Sequence, residues 1–317
     1  MLFRDESLQR LFEEQGFVTV PLLSPDEVAA VRERFFDIYN RRDAGADSLG
    51  LKQGYHVSLD HPDRDYRRQA EALVREILAP RAAALLRGYR FLLGAFLLKP
   101  SGAGPLAVHR DWTMTADPLQ TSLNCWCPLV DVDGRNGALA LLPGSHACLP
   151  DNVHGPGMAQ YLQFDPQRLM RLSHIVPLKA GEAVLFDYRM LHGSMPNTTL
   201  EARPAIGAGF VPETARPMLH VRDAADGRGY FRMIEPEAES WADVMAGLAE
   251  PGRPGLRTVG RVRDRNRSMG QGELERRLAG PASGATLAAL RIKDKARRLV
   301  ARALGMGRRK GKTPPPG

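Results

Sequence analysis

The stretch Leu106-Ala107-Val108-His109-Arg110-Asp111-Trp112-Thr113 decides how this chain is read. Its apolar opening predicts the end of a short strand, and side chains two apart in a strand point the same way. His109 and Asp111 are therefore predicted to share a face and to grip one ion together. A second histidine from a distant strand would complete a two-histidine, one-carboxylate face, the arrangement that holds non-haem Fe(II) and leaves coordination positions open. His192 is the candidate, since it follows the apolar run Ala183-Val184-Leu185-Phe186 and sits in Leu191-His192-Gly193-Ser194, as at the end of a buried strand. Three protein ligands and a water also describe a catalytic zinc site, so the triad alone leaves the metal open.

Arg203 narrows the choice. It lies eleven residues after His192 and opens the apolar stretch Pro204-Ala205-Ile206-Gly207-Ala208-Gly209-Phe210. A strand, a turn and a returning strand would bring its guanidinium back beside the metal. Arginine suits bidentate recognition of a carboxylate, and open metal positions beside such a clamp suit a 2-oxo diacid. A simple zinc hydrolase has no need of one.

Working outward, apolar runs bounded by Gly, Pro and Asp predict strands at Tyr89 to Leu98, Ser122 to Val130, Gly137 to Leu142, Ala183 to Phe186 and Arg203 to Val211. Helical patterns precede most of them, at Ser7 to Gln15, Pro25 to Tyr39 and Asp65 to Arg87, with Ser24 as a cap and Pro25 at a first helical position. This order of elements predicts a mainly β protein with flanking helices, built on a double-stranded β-helix, the jelly roll or cupin-like core. Cys125 and Cys127 share a strand face opposite Trp126, which predicts burial rather than metal or redox chemistry for these thiols. Leu49 to Arg64 and Cys148 to Leu172 are polar connections too long for ordinary hairpins, and substrate choice is expected there.

The ordered set of motifs resembles the phytanoyl-CoA dioxygenase family of Fe(II)/2-oxoglutarate oxygenases over roughly Gln15 to Pro212. It begins with Gly16-Phe17-Val18-Thr19-Val20 and continues through His109-Arg110-Asp111-Trp112 and Asn124-Cys125-Trp126-Cys127-Pro128-Leu129. Asn136-Gly137-Ala138-Leu139, Pro143-Gly144-Ser145-His146, Gly181-Glu182, His192-Gly193-Ser194, Asn197 and Arg203 complete it in order. The resemblance implies His109, Asp111 and His192 as iron ligands and Arg203 as partner of the distal carboxylate of 2-oxoglutarate, with Trp126 against the cosubstrate. Asn124 shares the face of Trp126 and is expected to look into the same cavity, and Lys52 stands about where some relatives carry a lysine that contacts the cosubstrate. His56, Arg110, Trp112 and Met114, with Thr113, are candidates for substrate contact. His146 reads as a loop residue, and His154, His174 and His220 lie in no motif.

The implied chemistry is a dioxygenase reaction with Fe(II), 2-oxoglutarate and O2, releasing succinate and CO2 and hydroxylating an unactivated C–H bond of a small molecule. Asp111 favours hydroxylation, because halogenating relatives replace the carboxylate with a small residue. Desaturation, epoxidation and ring formation remain open, as do acyl thioesters and amino acids as substrates beside the preferred specialised-metabolite intermediate. A different class, a jelly-roll metal-binding or sensor protein without turnover, is the alternative.

The 317 residues hold 43% hydrophobic residues, enough for a substantial core. An oxygenase domain is expected over 1–280, its core at about 15–212 and a wrap at 213–280 with helical pieces at Glu239 to Leu248 and Gly272 to Ala279. Residues 281–317 carry +9 of a net charge of +8, leaving the rest at −1, so the basicity is confined to an amphipathic, partly disordered tail. That restrains any inference of nucleic-acid binding, although the tail's basic helical pattern suits peripheral contact with a membrane or a partner. No secretory leader or run of about 20 apolar residues is visible, so a cytoplasmic enzyme is expected. The 37 arginines against 7 lysines suggest a high-GC bacterial genome.

Overall fold

The alternation in Asn124-Cys125-Trp126-Cys127 is the plainest guide to the architecture, because the two faces of this one strand meet two different cores. In the computed structural model, which describes residues 1–43, 55–156, 162–222, 229–236, 241, 243–244 and 256–278, Cys125 and Cys127 pack beneath helices while Trp126 points between two sheets. The tail and Lys52 fall outside the described residues, as does most of the helical piece expected at Glu239 to Leu248.

The larger sheet is antiparallel and six-stranded. It runs β1 (Phe17–Pro21), β9 (Glu182–Asp187), β5 (Leu123–Pro128), β11 (Arg203–Pro212), β3 (Tyr89–Lys99) and β2 (His56–Val57). Facing it is a four-stranded sheet, β4 (Leu106–His109), β10 (His192–Ser194), β6 (Leu139–Leu141) and β8 (His174–Val176). Two antiparallel sheets packed face to face over Phe17, Trp126, Leu139, Leu141, Val184 and Phe186 make a jelly roll.

Three helices cover the outer face of the larger sheet: α1 (Glu6–Gln15), α2 (Pro25–Arg41) and α3 (Arg64–Leu85). Each start is written locally. Asp5 accepts from the backbone of Ser7 and Leu8 at the head of α1, and Ser24 and Glu27 form a capping box with Pro25 at the first turn of α2. Phe35 of α2 stacks on Phe96 of β3 with centroids 4.2 Å apart, which ties the helical layer to the strand that ends in Lys99. Among the described residues no helix is long and apolar enough to cross a membrane.

The C-terminal third departs from the expectation of short helical pieces. A third antiparallel sheet forms from β12 (Leu219–Arg222), β13 (Tyr230–Pro236) and β14 (Leu256–Arg263), and Leu219 and Ile234 pack with Leu92 and Leu93 of β3. Its strands are masked in the sequence by charge on their outer face. Arg216 and Arg257 both pair with Glu235 there, at 2.7 and 2.6 Å. The helix expected at Gly272 to Ala279 spans Gln271–Leu278.

One glycine controls how the two halves of the smaller sheet meet. A Cβ added to Gly193 in β10 would lie 2.5 Å from the carbonyl oxygen of Leu106 in β4. Gly193→Ala should therefore force β10 away from β4, costing about 1–3 kcal/mol in overpacking and weakening divalent-metal affinity although no ligand is changed. Gly260→Ala in β14, where the added carbon meets nothing, should leave both unchanged. Thermal unfolding and metal titration of the two variants side by side would check this, and a Gly193→Ala protein of parental stability and affinity would refute it.

Candidate active site

Antiparallel pairing of β10 with β4 sets His192 directly opposite His109. Their ring centroids are 4.3 Å apart. Asp111 lies two residues beyond the end of β4 yet still turns inward, so that ligand atoms of His109, Asp111 and His192 all fall within 4.8 Å of one another. His192 is buried, His109 is half-buried and the Asp111 side chain is 23% exposed, so the cluster is closed at the back and open in front.

Both imidazoles are held in the same way. His109 Nδ1 lies 2.9 Å from the carbonyl oxygen of Ala107, and His192 Nδ1 lies 3.0 Å from that of Met190. A carbonyl only accepts, so each Nδ1 carries the proton and each Nε2 is left as a free lone pair. Burial pushes the His192 imidazole down to about 4, against the opposing pull of Asp111, which keeps it neutral near pH 7. Asn124 Nδ2 donates to Asp111 Oδ2 at 3.2 Å, leaving Oδ1, 3.7 Å from His192 Nε2, to face the common centre. Two imidazoles and one carboxylate, each steadied from behind, fit a divalent transition metal with open coordination positions.

Two buried cations face each other across β11 and β3 of the larger sheet. Arg203 is 4% exposed and its guanidinium carbon lies 5.0 Å from the centroid of Trp126. Its Nη1 reaches only the carbonyl of Leu97, at 3.5 Å, and its buried Nε has no partner among the described residues. Burial pushes Arg203 down to about 10, so an anion in this pocket would be strongly attracted. Lys99, the cross-strand neighbour of Arg203, is 1% exposed, and its Nζ donates to Ser194 Oγ at 2.8 Å. Burial, helped by Arg203, pushes this ammonium down to about 8. The Tyr55 phenol is pushed up to about 12, chiefly by burial, with Asp60 and Asp111 adding and Arg203 opposing, which places it within electrostatic reach of both metal face and guanidinium.

The structure thus brings His109, Asp111, His192 and Asn124 together and sets Arg203 against Trp126, with Tyr55 within electrostatic reach of both groups. His56 is placed elsewhere: it is buried, its Nε2 lies 2.7 Å from the Tyr66 hydroxyl, and Tyr39, His61 and Tyr66 surround its ring. Arg110 sends Nη1 to the carbonyl of Leu149 at 3.0 Å. Met114 is buried beside Tyr188, Leu92 and Leu93, with Trp112 packed against that cluster. Residues outside any motif also reach the site. His154 Nδ1 lies 3.2 Å from the backbone oxygen of Asp111, and Thr113 N donates to the carbonyl of His154 at 2.8 Å, which seats the long loop after Cys148 on the metal strand.

The sequence pattern of the phytanoyl-CoA dioxygenase (PhyH) family matches residues 12–205. Among curated proteins, Dioxygenase trt7 of Aspergillus terreus (strain NIH 2624 / FGSC A1156) is 33% identical over 122 residues, 35% of this chain; the match spans only 37% of that relative's length. Two solved structures share the fold. The non-heme alpha ketoglutarate dependent carbocyclase SnoK from nogalamycin biosynthesis superposes with a TM-score of 0.51 at 23% identity, over 70% of this chain and 89% of that one. The epimerase SnoN, in complex with Fe3+, alpha ketoglutarate and nogalamycin RO, does so with a TM-score of 0.51 at 22% identity, over 80% and 93%.

Asn124 offers a test of the metal centre that spares its ligands. Asn124→Ala should weaken divalent-metal affinity by about 10–100-fold, the usual loss when the partner that orients a ligand is removed. Titration with Fe(II) under nitrogen would measure it. Unchanged affinity would mean that Asp111 is oriented by something else.

Proposed function

This chain belongs to the phytanoyl-CoA dioxygenase family, a family of non-haem Fe(II)/2-oxoglutarate oxygenases, and we propose that it hydroxylates an unactivated C–H bond of a small molecule, an intermediate of bacterial specialised metabolism. The observation that carries this reading is the juxtaposition of a two-histidine, one-carboxylate cluster with a buried arginine whose Nε–H is unspent. His109, Asp111 and His192 would hold the iron, and Arg203 would hold the distal carboxylate of the cosubstrate. When bound, Fe(II) with 2-oxoglutarate and O2 supplies the oxidising power for C–H oxidation, with release of succinate and CO2.

The chain's own residues do the positioning. The carbonyls of Ala107 and Met190 fix the two imidazole tautomers, and Asn124 turns one Asp111 oxygen to the metal. Phe186 packs against His192 with centroids 4.8 Å apart and keeps water from the back of the site. Asp111 itself favours oxygen transfer over halogenation, since a carboxylate fills the position a halide would need. SnoK and SnoN share the fold and are from nogalamycin biosynthesis, and the biosynthesis of a specialised metabolite is the setting proposed for this chain.

Succinate release from 2-oxoglutarate should require Fe(II) and O2 and should rise when a panel of such metabolites is supplied. Turnover that persists without O2 would overturn the reading in favour of hydrolysis. Arg203→Met should raise the 2-oxoglutarate concentration for half-maximal rate by about 30-fold or more, the loss expected when one partner of a buried charge pair is truncated. An unaltered requirement would remove Arg203 from the pocket.

A further inference from the structure

Tyr188 is a buried phenol whose hydroxyl the fold leaves unused. It directly follows β9, in the inward parity of Val184 and Phe186, and its backbone N–H donates to the carbonyl of Ser122, just before β5. The larger sheet runs β9, β5, β11, yet the hydroxyl lies over Gly209 in β11, where an added Cβ would stand 2.2 Å from it. The Tyr188 side chain therefore crosses the inner face of β5. Asn124, the register partner of Gly209, shares that face and donates to Asp111. The phenol thus ends one strand away from the amide that steadies the carboxylate of the cluster.

Gly209 is not one of the glycines with a positive φ, so its backbone would accept other residues. What the position supplies is space for the hydroxyl, with Leu93 Cγ 3.2 Å from the same point. Tyr188 is 6% exposed and shares an apolar cluster with Leu92, Leu93, Met114 and Val211, against which Trp112 packs. Trp112 and Met114 follow Asp111 in the chain, so this wall leads from the cluster to the phenol. Among the described residues the hydroxyl forms no hydrogen bond. A buried tyrosine ordinarily finds a partner for this group, because an unpaired polar atom in apolar surroundings forfeits the water it left. Burial pushes the phenol well above its ordinary range, with the Asp111 carboxylate adding, so the group stays a protonated donor within electrostatic reach of the metal face.

A lone hydroxyl donor in an apolar wall beside the metal face fits an uncharged acceptor oxygen on an apolar molecule. We propose that Tyr188 orients the substrate by donating to such an oxygen, a carbonyl above all, and that position 209 is kept free of a side chain so that the phenol reaches it. This rests on the oxygenase reading above and narrows its substrate to a neutral, largely apolar, oxygen-bearing molecule rather than a free amino acid.

The probes are 2-acetylnaphthalene and 2-ethylnaphthalene, matched in shape and differing in one carbonyl oxygen. Each is titrated anaerobically into the full-length protein loaded with Fe(II) and 2-oxoglutarate, and binding is read from the visible charge-transfer absorbance of the chelate and from ligand-observed NMR. The parent is expected to prefer the ketone by about 10-fold, the worth of one buried hydrogen bond. Tyr188→Phe removes only the hydroxyl. It should erase that preference by weakening the ketone, while the hydrocarbon, Fe(II) and 2-oxoglutarate stay within about twofold of parental affinity and the thermal midpoint does not fall, since the fold loses no hydrogen bond. A parent that binds neither probe or shows no preference, or a preference that survives in Tyr188→Phe, overturns the proposal. So does a Tyr188→Phe protein that loses Fe(II) affinity or melts well below the parent, which would make the tyrosine a support of Asp111 or of the core. A parent that binds iron but gives no charge-transfer band with 2-oxoglutarate overturns the oxygenase reading itself, and the proposal falls with it.

Discussion

The pairing of His192 with His109 across two short strands is the constraint on which the site depends. It closes the smaller sheet and makes the candidate metal face in one step, because the two residues that meet as cross-strand neighbours are also the two imidazoles of the His-Asp-His cluster. Strands as short as β4 and β10 bury little apolar area by themselves, so their pairing relies on the fit of Gly193 beneath the Leu106 carbonyl and on the larger sheet behind them. The larger sheet is in turn fixed by the helical layer packed on its other face. The cluster on the smaller sheet is therefore supported by the helical layer two layers away.

The two halves of the site are built by different physics. The metal half is preformed: backbone carbonyls and one amide side chain set the tautomers and the carboxylate, and none of them needs a ligand to stay in place. The cationic half is electrostatically incomplete. Arg203 and Lys99 have lost most of their water, and what they gain from Trp126, the Leu97 carbonyl and Ser194 does not neutralise them. Such an arrangement concentrates its attraction on a single kind of guest, a small anion that also reaches the metal.

How much of this could be read from the chain depends on whether the signal was local. The triad was legible because two of its residues follow short apolar runs that announce a strand, and the Cys-Trp-Cys alternation of β5 put the thiols and the indole on opposite faces from three consecutive letters. The helix cap at Ser24 is likewise spelled out within four residues. Lys99 was not legible, since a lysine before Pro100 at the end of an apolar run looks like the point where a strand meets solvent. Only the register of β3 with β11, a pairing between residues more than a hundred positions apart, turns it inward beside Arg203. The β12–β14 sheet was hidden for a related reason. Its outer face carries arginines whose partner, Glu235, lies on another strand, so the charge looks like loop until the strands are paired.

Asn124 and His154 illustrate the same limit at the metal itself. Strand parity put Asn124 in the cavity, but parity cannot say whether an amide serves the ligand or the guest; its 3.2 Å contact with Asp111 does. His154 comes from a loop with no motif, and it reaches Asp111 through a backbone oxygen that carries no sequence signal. Because that contact falls on the main chain, substitutions at Asp111 would leave it intact, whereas movement of the loop would shift the carboxylate. The described part of the loop after Cys148, where substrate selection was expected, is thus joined through His154 to the backbone of Asp111.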